Sequence, residues 1–184
     1  MKNNNLSTLS IRKLGLSDFP QFRAHLKRLD PGTQRLRFGQ PVGEDFIDAY
    51  VDTSFRIGTL IFGAFEDGMI RGSAELRGVA GIEFDAEAAF AVEPDWQDHG
   101  LGSELMTRLI TAAQNRGFSR LHMVCLSENA RMRHIAAKHG AHLKFLEGDV
   151  TGELDPHQPT VQSLMDEWVH DAQGFVSAIL EWQR

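Results

Sequence analysis

Two adjacent β-type segments with a tight turn between them do the most to narrow the fold of this chain. They lie within residues 59–79, TLIFGAFEDGMIRGSAELRGV, and the turn falls at Glu66-Asp67-Gly68. Glycine reaches the positive φ angles that tight hairpin turns require, so the segment predicts a β-hairpin. The fold is therefore expected to contain an antiparallel sheet.

After the hairpin, strand-like and helix-like segments alternate. The apolar spacing of residues 102–116 predicts a helix that ends at Gly117, because glycine is common just beyond a helix. The other segments predicted here are strands at 86–92 and 120–127, a helix at 129–140, and one strand or a pair within 141–154. Antiparallel strands followed by this alternation predict an α/β (α+β) fold with a mixed, mostly antiparallel sheet flanked by helices.

The two ends of the chain add further elements. Residues 9–14 predict a first strand, followed by a helix in which Ser17 is the N-cap and Pro20 lies in the first turn. Residues 43–54 predict a second short helix. Apolar residues at helical spacing predict an amphipathic C-terminal helix over about 160–183, which either covers the sheet of its own chain or forms a homodimer contact.

Length, charge and cysteine content limit the class of protein. A chain of 184 residues with 42% hydrophobic content suffices for one sizeable core, so residues 1–184 are predicted to form a single domain. The formal net charge of −6 and the lack of a basic block argue against a nucleic-acid partner. Residues 1–10 lack the apolar core that a signal peptide needs, no apolar run approaches the roughly 20 residues that cross a bilayer, and Cys125 is solitary. A cytoplasmic protein without a membrane partner is expected.

Residues 92–106, VEPDWQDHGLGSELM, join a predicted strand to the following helix. A helix start presents unpaired N–H groups and the positive end of the helix dipole, and glycines let a phosphate approach the backbone. The junction is therefore a candidate anion site. A P-loop is excluded because Ser103-Glu104 follows Gly102, and a dinucleotide fingerprint is disfavoured because Leu105 replaces its third glycine.

The six residues from Gln97 to Gly102, QDHGLG, match the Q/R-x-x-G-x-G/A signature of the GNAT N-acetyltransferases. Residues 86–106 and 127–145 resemble the acetyl-coenzyme A half of the subgroup that contains bacterial protein lysine acetyltransferases. Upstream, LDPGTQRLRFGQP resembles the LSPES-x-x-x-RFF segment of the same subgroup. The resemblance implies the GNAT fold, with a cofactor-binding half at about 84–142.

The resemblance also implies how the donor is held. In GNAT enzymes the pyrophosphate of coenzyme A lies on the backbone amides of the signature loop, and the pantetheine arm runs along the preceding strand. The implied cofactor-binding residues are Phe90, Ala91, Val92, Gln97, Asp98, His99, Gly100, Leu101, Gly102, Ser103 and Asn129. His99 either adds a charged donor or is an ordinary loop histidine. Asn129 contacts the pantetheine arm, caps its helix, or does both.

The implied reaction transfers an acetyl group from acetyl-coenzyme A (acetyl-CoA) to a primary amine, which is a protein lysine or a small molecule. A lysine amine, with a pKa of about 10.4, is mostly protonated near neutral pH, so a general base is required. The strand AEAAFAV resembles the AEIAFTV-type strand that carries the catalytic glutamate in bacterial protein lysine acetyltransferases, which points to Glu87. Its apolar neighbours are expected to raise its proton affinity. Glu83, Asp85 and Glu75 are alternatives that would act through a water molecule.

One position departs from the family pattern. Many GNAT enzymes carry a tyrosine four residues before the glycine that closes the helix after Asn129, where it protonates the leaving thiolate. Here that glycine is Gly140 and the position is Ala136, while the single tyrosine of the chain is Tyr50. Water or His134 takes this role, or no group does. A non-catalytic acyl-coenzyme A sensor is the alternative function.

Two further expectations concern metals and the acceptor. His134, His139 and His142 lack partners at the spacing of a metal site, so no metal is predicted. The acceptor pocket is expected around residues 30–56 and 145–160, as in related folds.

Overall fold

A seven-stranded mixed sheet runs through the centre of the protein. The computed structural model describes the backbone of residues 9–54 and 58–182 and the side chains of residues 9–54 and 58–174. The strands are β1 (Ser10–Lys13), β2 (Thr59–Glu66), β3 (Met69–Gly78), β4 (Asp85–Val92), β5 (Arg120–Leu126), β6 (His142–Phe145) and β7 (Asp149–Leu154). Their order is β1-β2-β3-β4-β5-β7-β6, and every neighbouring pair is antiparallel except β4 and β5. The predicted fold class is confirmed.

Six α-helices accompany the sheet within the described residues. They are α1 (Phe19–Arg28), α2 (Pro31–Phe38), α3 (Glu44–Ser54), α4 (Leu101–Asn115), α5 (Ala130–Lys138) and α6 (Val161–Trp182). Helices α1 and α3 share one apolar cluster with β2 and β3, in which Phe22, Ile47 and Phe65 are almost fully buried. Helix α4 packs on the opposite face through Leu105 and Leu109. The sheet is thus covered on both faces.

The β2–β3 hairpin has the turn that its sequence predicts. Glu66 pairs with Met69, and the two residues between them, Asp67 and Gly68, have φ angles of 48° and 74°. Positive φ at both central residues is typical of a type I′ turn, whose twist matches that of the strands it joins. Local turn chemistry therefore sets the register next to the turn, and the register shifts at an irregularity between Ala64 and Phe65.

The parallel pairing of β4 and β5 is short. Only Asp85, Ala86 and Glu87 of β4 pair with β5, opposite residues 120–122. Beyond Glu87 the two strands part, and β5 continues to pair with β7 on its other side. The separation leaves a gap in the sheet next to the C-terminal half of β4.

One prediction about a helix start is wrong, and one helix was not predicted. Asp18, not Ser17, is the N-cap of α1, because a 3-10 turn over Leu16–Asp18 precedes this helix. Helix α2 was not predicted, although Asp30 accepts hydrogen bonds from the N–H groups of Gly32 and Thr33 in an ordinary N-cap arrangement. Pro20 lies in the first turn of α1, as predicted.

Helix α6 turns a small and polar side toward the protein body. Glu167 accepts hydrogen bonds from Lys13 of β1 and from Asn115 and Arg116 at the end of α4. By contrast, Trp168 is 72% exposed, and Val161, Leu164 and Met165 are also exposed. The described apolar side chains of this helix therefore do not cover the sheet. No helix in the described part of the chain is long and apolar enough to span a membrane.

Candidate active site

A cleft of about 540 Å³ occupies the gap beside β4. Its walls come from α2, the C-terminal half of β4, the signature loop and α5. Nine of the predicted cofactor-binding residues line it: Phe90, Ala91, Val92, Gln97, Asp98, Gly100, Gly102, Ser103 and Asn129. Two do not. Leu101 is fully buried in the core, and His99 is exposed on the loop with Nδ1 against the carbonyl oxygen of Gln97.

The signature loop is held by its leading glutamine and by two left-handed residues. Gln97 Nε2 donates to the carbonyl oxygen of Val92 at 2.9 Å and to Thr33 Oγ1 of α2 at 3.3 Å. Asp98 and Gly100 have φ angles of 60° and 88°, and α4 begins at the next residue. The first N–H groups of α4 have no carbonyl in a preceding turn, so they are available to an anion in the cleft.

Cationic side chains of α5 lie beside this helix start. Lys138 Nζ donates to Ser103 Oγ at 3.1 Å, and Arg131 pairs with Asp98 at 2.8 Å. The hydrogen bond from Arg131 holds the pKa of Asp98 below its ordinary value. The sequence predicted positive potential from the backbone amides and, as one alternative, from His99, and the side chains of Arg131 and Lys138 were missed. Their spacing with His134, at steps of three and four along a predicted helix, was the available signal.

Close packing brings α4 and α5 together at Gly102. A Cβ atom on this glycine would lie 2.8 Å from Ile135 Cδ1, well inside van der Waals contact. Gly102 also lines the cleft. The second glycine of the signature thus lets α4 and α5 approach each other, and it adds no side chain to the lining of the cleft.

Asn129 has one of the two roles that its sequence position left open, and it lies where the other would be possible. It is the N-cap of α5, and its Oδ1 accepts a hydrogen bond from the N–H of Met132 at 3.1 Å. It also lines the cleft. The capping role is confirmed, and contact with the pantetheine arm stays a prediction.

Glu87 lies outside the cleft lining, at the point where β4 and β5 part. Its side chain is exposed, between Arg77 of β3 and His122 of β5 in the strand registers. Ala86 and Ala88 are buried on the opposite face of the sheet, because side chains alternate along a strand. The expectation that apolar neighbours enclose the Glu87 carboxyl group is therefore wrong.

Two of the three alternative carboxylates, Asp85 and Glu75, have partners of their own, whereas Glu83 is exposed. Asp85 is buried and pairs with Arg120 and His122, both at 2.9 Å. The hydrogen bond from His122 is the main reason that the pKa of Asp85 lies below its ordinary value. Glu75 is 1% exposed and is bound by two arginines. Both carboxylates are committed to structural pairs.

A buried charge cluster joins α2, α3 and β3 on the α1–α3 face of the sheet. Glu75 accepts hydrogen bonds from Tyr50 Oη, from Arg77 Nη2 at 2.7 Å and from Arg37 Nη2. Burial would raise the pKa of Glu75, but the two guanidinium groups hold it below its ordinary value. Burial raises the pKa of Tyr50 to about 12, so its hydroxyl group stays protonated. The cluster therefore has two positive charges and one negative charge.

The tyrosine position of the family contains no proton donor here. Ala136 is 3% exposed and belongs to the core cluster under α4. His134, one of the proposed replacements, lines the cleft. Among the side chains of residues 9–54 and 58–174, no group of three or more histidine, cysteine, aspartate or glutamate residues could hold a metal ion.

Comparisons with known proteins agree with this geometry. Residues 26–141 match the model of the Acetyltransferase (GNAT) family. The GNAT domain of S. lividans PAT is similar in structure, with a TM-score of 0.68 and 19% identity over 80% of this chain and 94% of that one. The Escherichia coli ribosomal-protein-S18-alanine N-acetyltransferase has a TM-score of 0.63 and 19% identity over 83% and 97%.

A third similar structure contains the cofactor itself. The PaiA N-acetyltransferase of Thermoplasma acidophilum in complex with coenzyme A has a TM-score of 0.61 and 16% identity over 80% of this chain and 98% of that one. At these identities the structures compare folds, whereas the family model covers more than half of this chain. The chain belongs to the GNAT family of acetyltransferases.

Proposed function

We propose that this protein transfers the acetyl group of acetyl-coenzyme A to a primary amine, with a protein lysine side chain as the acceptor. One observation carries the proposal: a single cleft contains both the start of α4 and an edge of β4 that pairs with no described strand. The lysine acceptor is supported by the resemblance to bacterial protein lysine acetyltransferases and by the structural likeness to the GNAT domain of S. lividans PAT.

In this proposal the two ends of the donor bind different features. The diphosphate accepts hydrogen bonds from the backbone N–H groups at the start of α4, with Lys138 and Arg131 nearby as counter-charges. The pantetheine arm lies along Phe90–Val92, where β4 has no strand neighbour on the β5 side. Backbone groups of β4 pair with the amides of the arm, as an added strand would.

Glu87 is the proposed general base. Because its carboxylate is exposed, it removes a proton from the acceptor amine directly or through one water molecule. The neutral nitrogen attacks the acetyl carbon, and the C–S bond breaks with its electron pair remaining on sulfur. A backbone N–H near Val92 stabilises the oxyanion that forms before the bond breaks. The products are an acetamide and coenzyme A.

Two alternative functions have specific support. Acetylation of a small-molecule amine uses the same cleft and the same base, and differs only in the acceptor. A non-catalytic acyl-coenzyme A sensor is favoured by Ala136, which leaves the family's tyrosine position without a hydroxyl group.

Donor binding is tested first, by thermal melting with and without acetyl-coenzyme A. A ligand at about 100 times its dissociation constant stabilises the folded state by roughly 2.7 kcal/mol, which raises the melting temperature by several degrees. Absence of a shift with acetyl-coenzyme A and with other acyl-coenzyme A thioesters would overturn the proposal.

Catalysis is tested by thiol release with a panel of lysine peptides, whole proteins and small amines. Glu87→Gln is expected to lower kcat by about 100-fold or more with an unchanged melting shift from acetyl-coenzyme A. Glu83→Gln removes the exposed alternative base four residues earlier, so a loss of activity confined to Glu87→Gln would assign the role to Glu87. Full activity of Glu87→Gln on the best acceptor contradicts the role of Glu87. Sustained thiol release excludes the sensor function.

We further propose that the protein is cytoplasmic and forms a homodimer through the exposed apolar side of α6. Val161, Met165 and Trp168 lie on this side, and solvent-exposed apolar residues in such numbers on one helix are typical of an interface. Sedimentation analysis is expected to give the mass of a dimer for the wild type and of a monomer for Trp168→Glu. A wild-type monomer at all concentrations contradicts the dimer.

A further inference from the structure

Arg37 brings a buried positive charge to the wall of the cleft. It lines the cleft from α2, opposite the β4 residues Phe90 and Ala91, while only 8% of its side chain is exposed. A buried guanidinium group is expensive to desolvate, so its position at a ligand cleft calls for a counter-charge. Glu75 supplies this counter-charge.

That counter-charge is shared. Glu75 also pairs with Arg77, and the Tyr50 hydroxyl group between the two arginines is neutral. The cluster therefore keeps one uncompensated positive charge. Its two guanidinium groups have different surroundings. Arg37 lines the cleft, whereas Arg77 is more exposed on β3. The surplus charge is available to an anion in the cleft.

The guanidinium of Arg37 also has spare hydrogen-bond donors. Its hydrogen bonds to Tyr50 and Glu75 are both donated by Nη2. Nε is buried and has no hydrogen-bond partner among the described residues. An unsatisfied buried donor is unfavourable, and a small shift toward a bound acceptor would satisfy it.

The position of Arg37 along the cleft separates it from the phosphate end. Its partner Glu75 lies opposite Ala89 in the β3–β4 register, three residues before Val92. Arg131 and Lys138 lie at the other end, beside Asp98 and Ser103. A donor whose diphosphate binds at α4 and whose arm follows β4 from Val92 toward Phe90 therefore brings its sulfur toward Arg37.

We propose that Arg37 stabilises the coenzyme A thiolate as it leaves the acetyl group, in place of the proton that a tyrosine supplies elsewhere in the family. When the amine nitrogen displaces sulfur, the electron pair of the C–S bond stays on sulfur as a thiolate paired with the guanidinium. A solvent proton adds later. This inference rests on the proposed donor site, and it makes Arg37 a catalytic residue.

The ionisation of coenzyme A bound to the protein tests the inference without any acceptor. The ultraviolet absorbance of the thiolate is followed against pH with the protein in saturating excess over coenzyme A, so that the signal comes from the bound thiol. An opposite charge at about 4 to 6 Å lowers a pKa by about 1 to 3 pH units. The thiol pKa is therefore expected to be lower by at least about one pH unit in the wild type than in Arg37→Met.

Tyrosine and cysteine side chains of the protein also change their ultraviolet absorbance when they ionise, and both can be controlled. Tyr50, the single tyrosine, has a pKa raised to about 12 and stays silent over the range used. Cys125, the single cysteine, is removed by Cys125→Ser in every variant. The other charged groups that line the cleft, Asp98, Arg131, His134 and Lys138, are unchanged throughout the series.

Matched variants separate charge from folding. Arg35→Met removes a positive charge from the same helix at an exposed surface pair with Glu128 and is expected to leave the thiol pKa unchanged. Arg37→Lys keeps the charge and should retain part of the effect. Arg37→Met combined with Glu75→Gln avoids an unpaired buried carboxylate if the single variant unfolds, and it should give the same raised thiol pKa.

Each outcome decides between the two proposals. If coenzyme A produces no melting shift in the wild type, the donor site itself is wrong and the inference fails with it. If coenzyme A binds and its thiol pKa is the same in the wild type, Arg37→Met and the double variant, the role of Arg37 is wrong while the donor site stands. A rise in thiol pKa together with a fall in kcat, at unchanged KM for acetyl-coenzyme A, supports the inference.

Discussion

Gly174 of α6 lies directly against Arg12 of β1. A Cβ atom on Gly174 would be 2.6 Å from Arg12 Cβ, a distance that real Cβ contacts do not reach. Arg12 has little room to move, because its guanidinium pairs with Asp18 at 2.7 Å and lies 4.0 Å from the centre of the Phe65 ring. The absence of a side chain at Gly174 is therefore what lets α6 approach the edge of the sheet.

Gly174→Val is expected to lower the free energy of unfolding by about 1 to 3 kcal/mol, because overpacking forces the helix away from β1. Ala172→Val is the control, since it places the same side chain on the same helix at an exposed position. Chemical denaturation measures both. Equal stability of the two variants would show that the contact at Gly174 does not hold α6 in place.

Gly102→Ala tests the contact between α4 and α5. The added methyl group meets Ile135 Cδ1, so the variant should be less stable and should bind acetyl-coenzyme A more weakly. Ile135→Val removes that terminal carbon, and the double variant is expected to recover stability. Calorimetric titration then shows whether affinity stays low because the new methyl group occupies the cleft floor. Full recovery of affinity would assign the effect to helix packing alone.

The two roles of Asn129 respond differently to substitution. Asn129→Ala removes the cap of α5 and should destabilise the protein by about 1 kcal/mol. Asn129→Asp keeps an oxygen for the Met132 N–H, so stability should be close to that of the wild type. The added negative charge beside the cleft should nevertheless weaken binding of anionic coenzyme A. Unchanged affinity in the aspartate variant would limit Asn129 to capping.

Acid should destabilise the protein through Glu93. Burial would raise the pKa of this carboxyl group, but hydrogen bonds from His25 and Arg28 lower it to about 2, from an ordinary value of 4.5. Because the folded-state pKa is the lower one, the unfolded state binds more protons in this range. The stabilisation by Glu93 is therefore complete above about pH 4.5 and is lost as the pH falls toward about 2.

Glu93→Gln should accordingly flatten the acid limb of a plot of unfolding free energy against pH. Glu44→Gln is the control, because its carboxylate is 80% exposed and pairs only with Lys27 among the described side chains. An acid limb that is equally steep in Glu93→Gln and in the wild type would mean that Glu93 titrates alike in both states.

Most of the fold could be predicted because its signals are local. The Asp67-Gly68 turn, the glycines after α4 and α5, and the apolar spacing of the helices act within a few residues of chain. Helix α2 was missed although Asp30 and Pro31 form a helix start, because the segment was interpreted only through its family likeness. The segment 141–154 proved to be the pair of strands β6 and β7.

The site was predictable where backbone chemistry defines it and obscure where distant segments meet. The signature loop was expected at the site because its glycines and the helix start after it suit an anion, and its residues line the cleft. The hydrogen bond between Arg37 and Glu75 joins residues 38 positions apart, and no local sequence pattern indicates it. The exposure of Glu87 was also missed. Its neighbours in sequence are apolar, but alternation along the strand places the adjacent side chains on the opposite face, so they do not surround its carboxyl group. Its catalytic role stays a prediction.

Helix α6 carries two kinds of surface with opposite responses to ions. Its inner side is tied to the body by Lys13, which contacts Glu167 at 2.7 Å and Asp171 at 2.6 Å, and added salt weakens such partly exposed pairs. Its outer side, centred on Trp168, is apolar, and sulfate strengthens contacts of that kind. Raising sulfate should thus loosen the helix from its own chain while drawing its outer side toward other apolar surfaces. Buffer composition, rather than temperature, is the natural variable for separating the two.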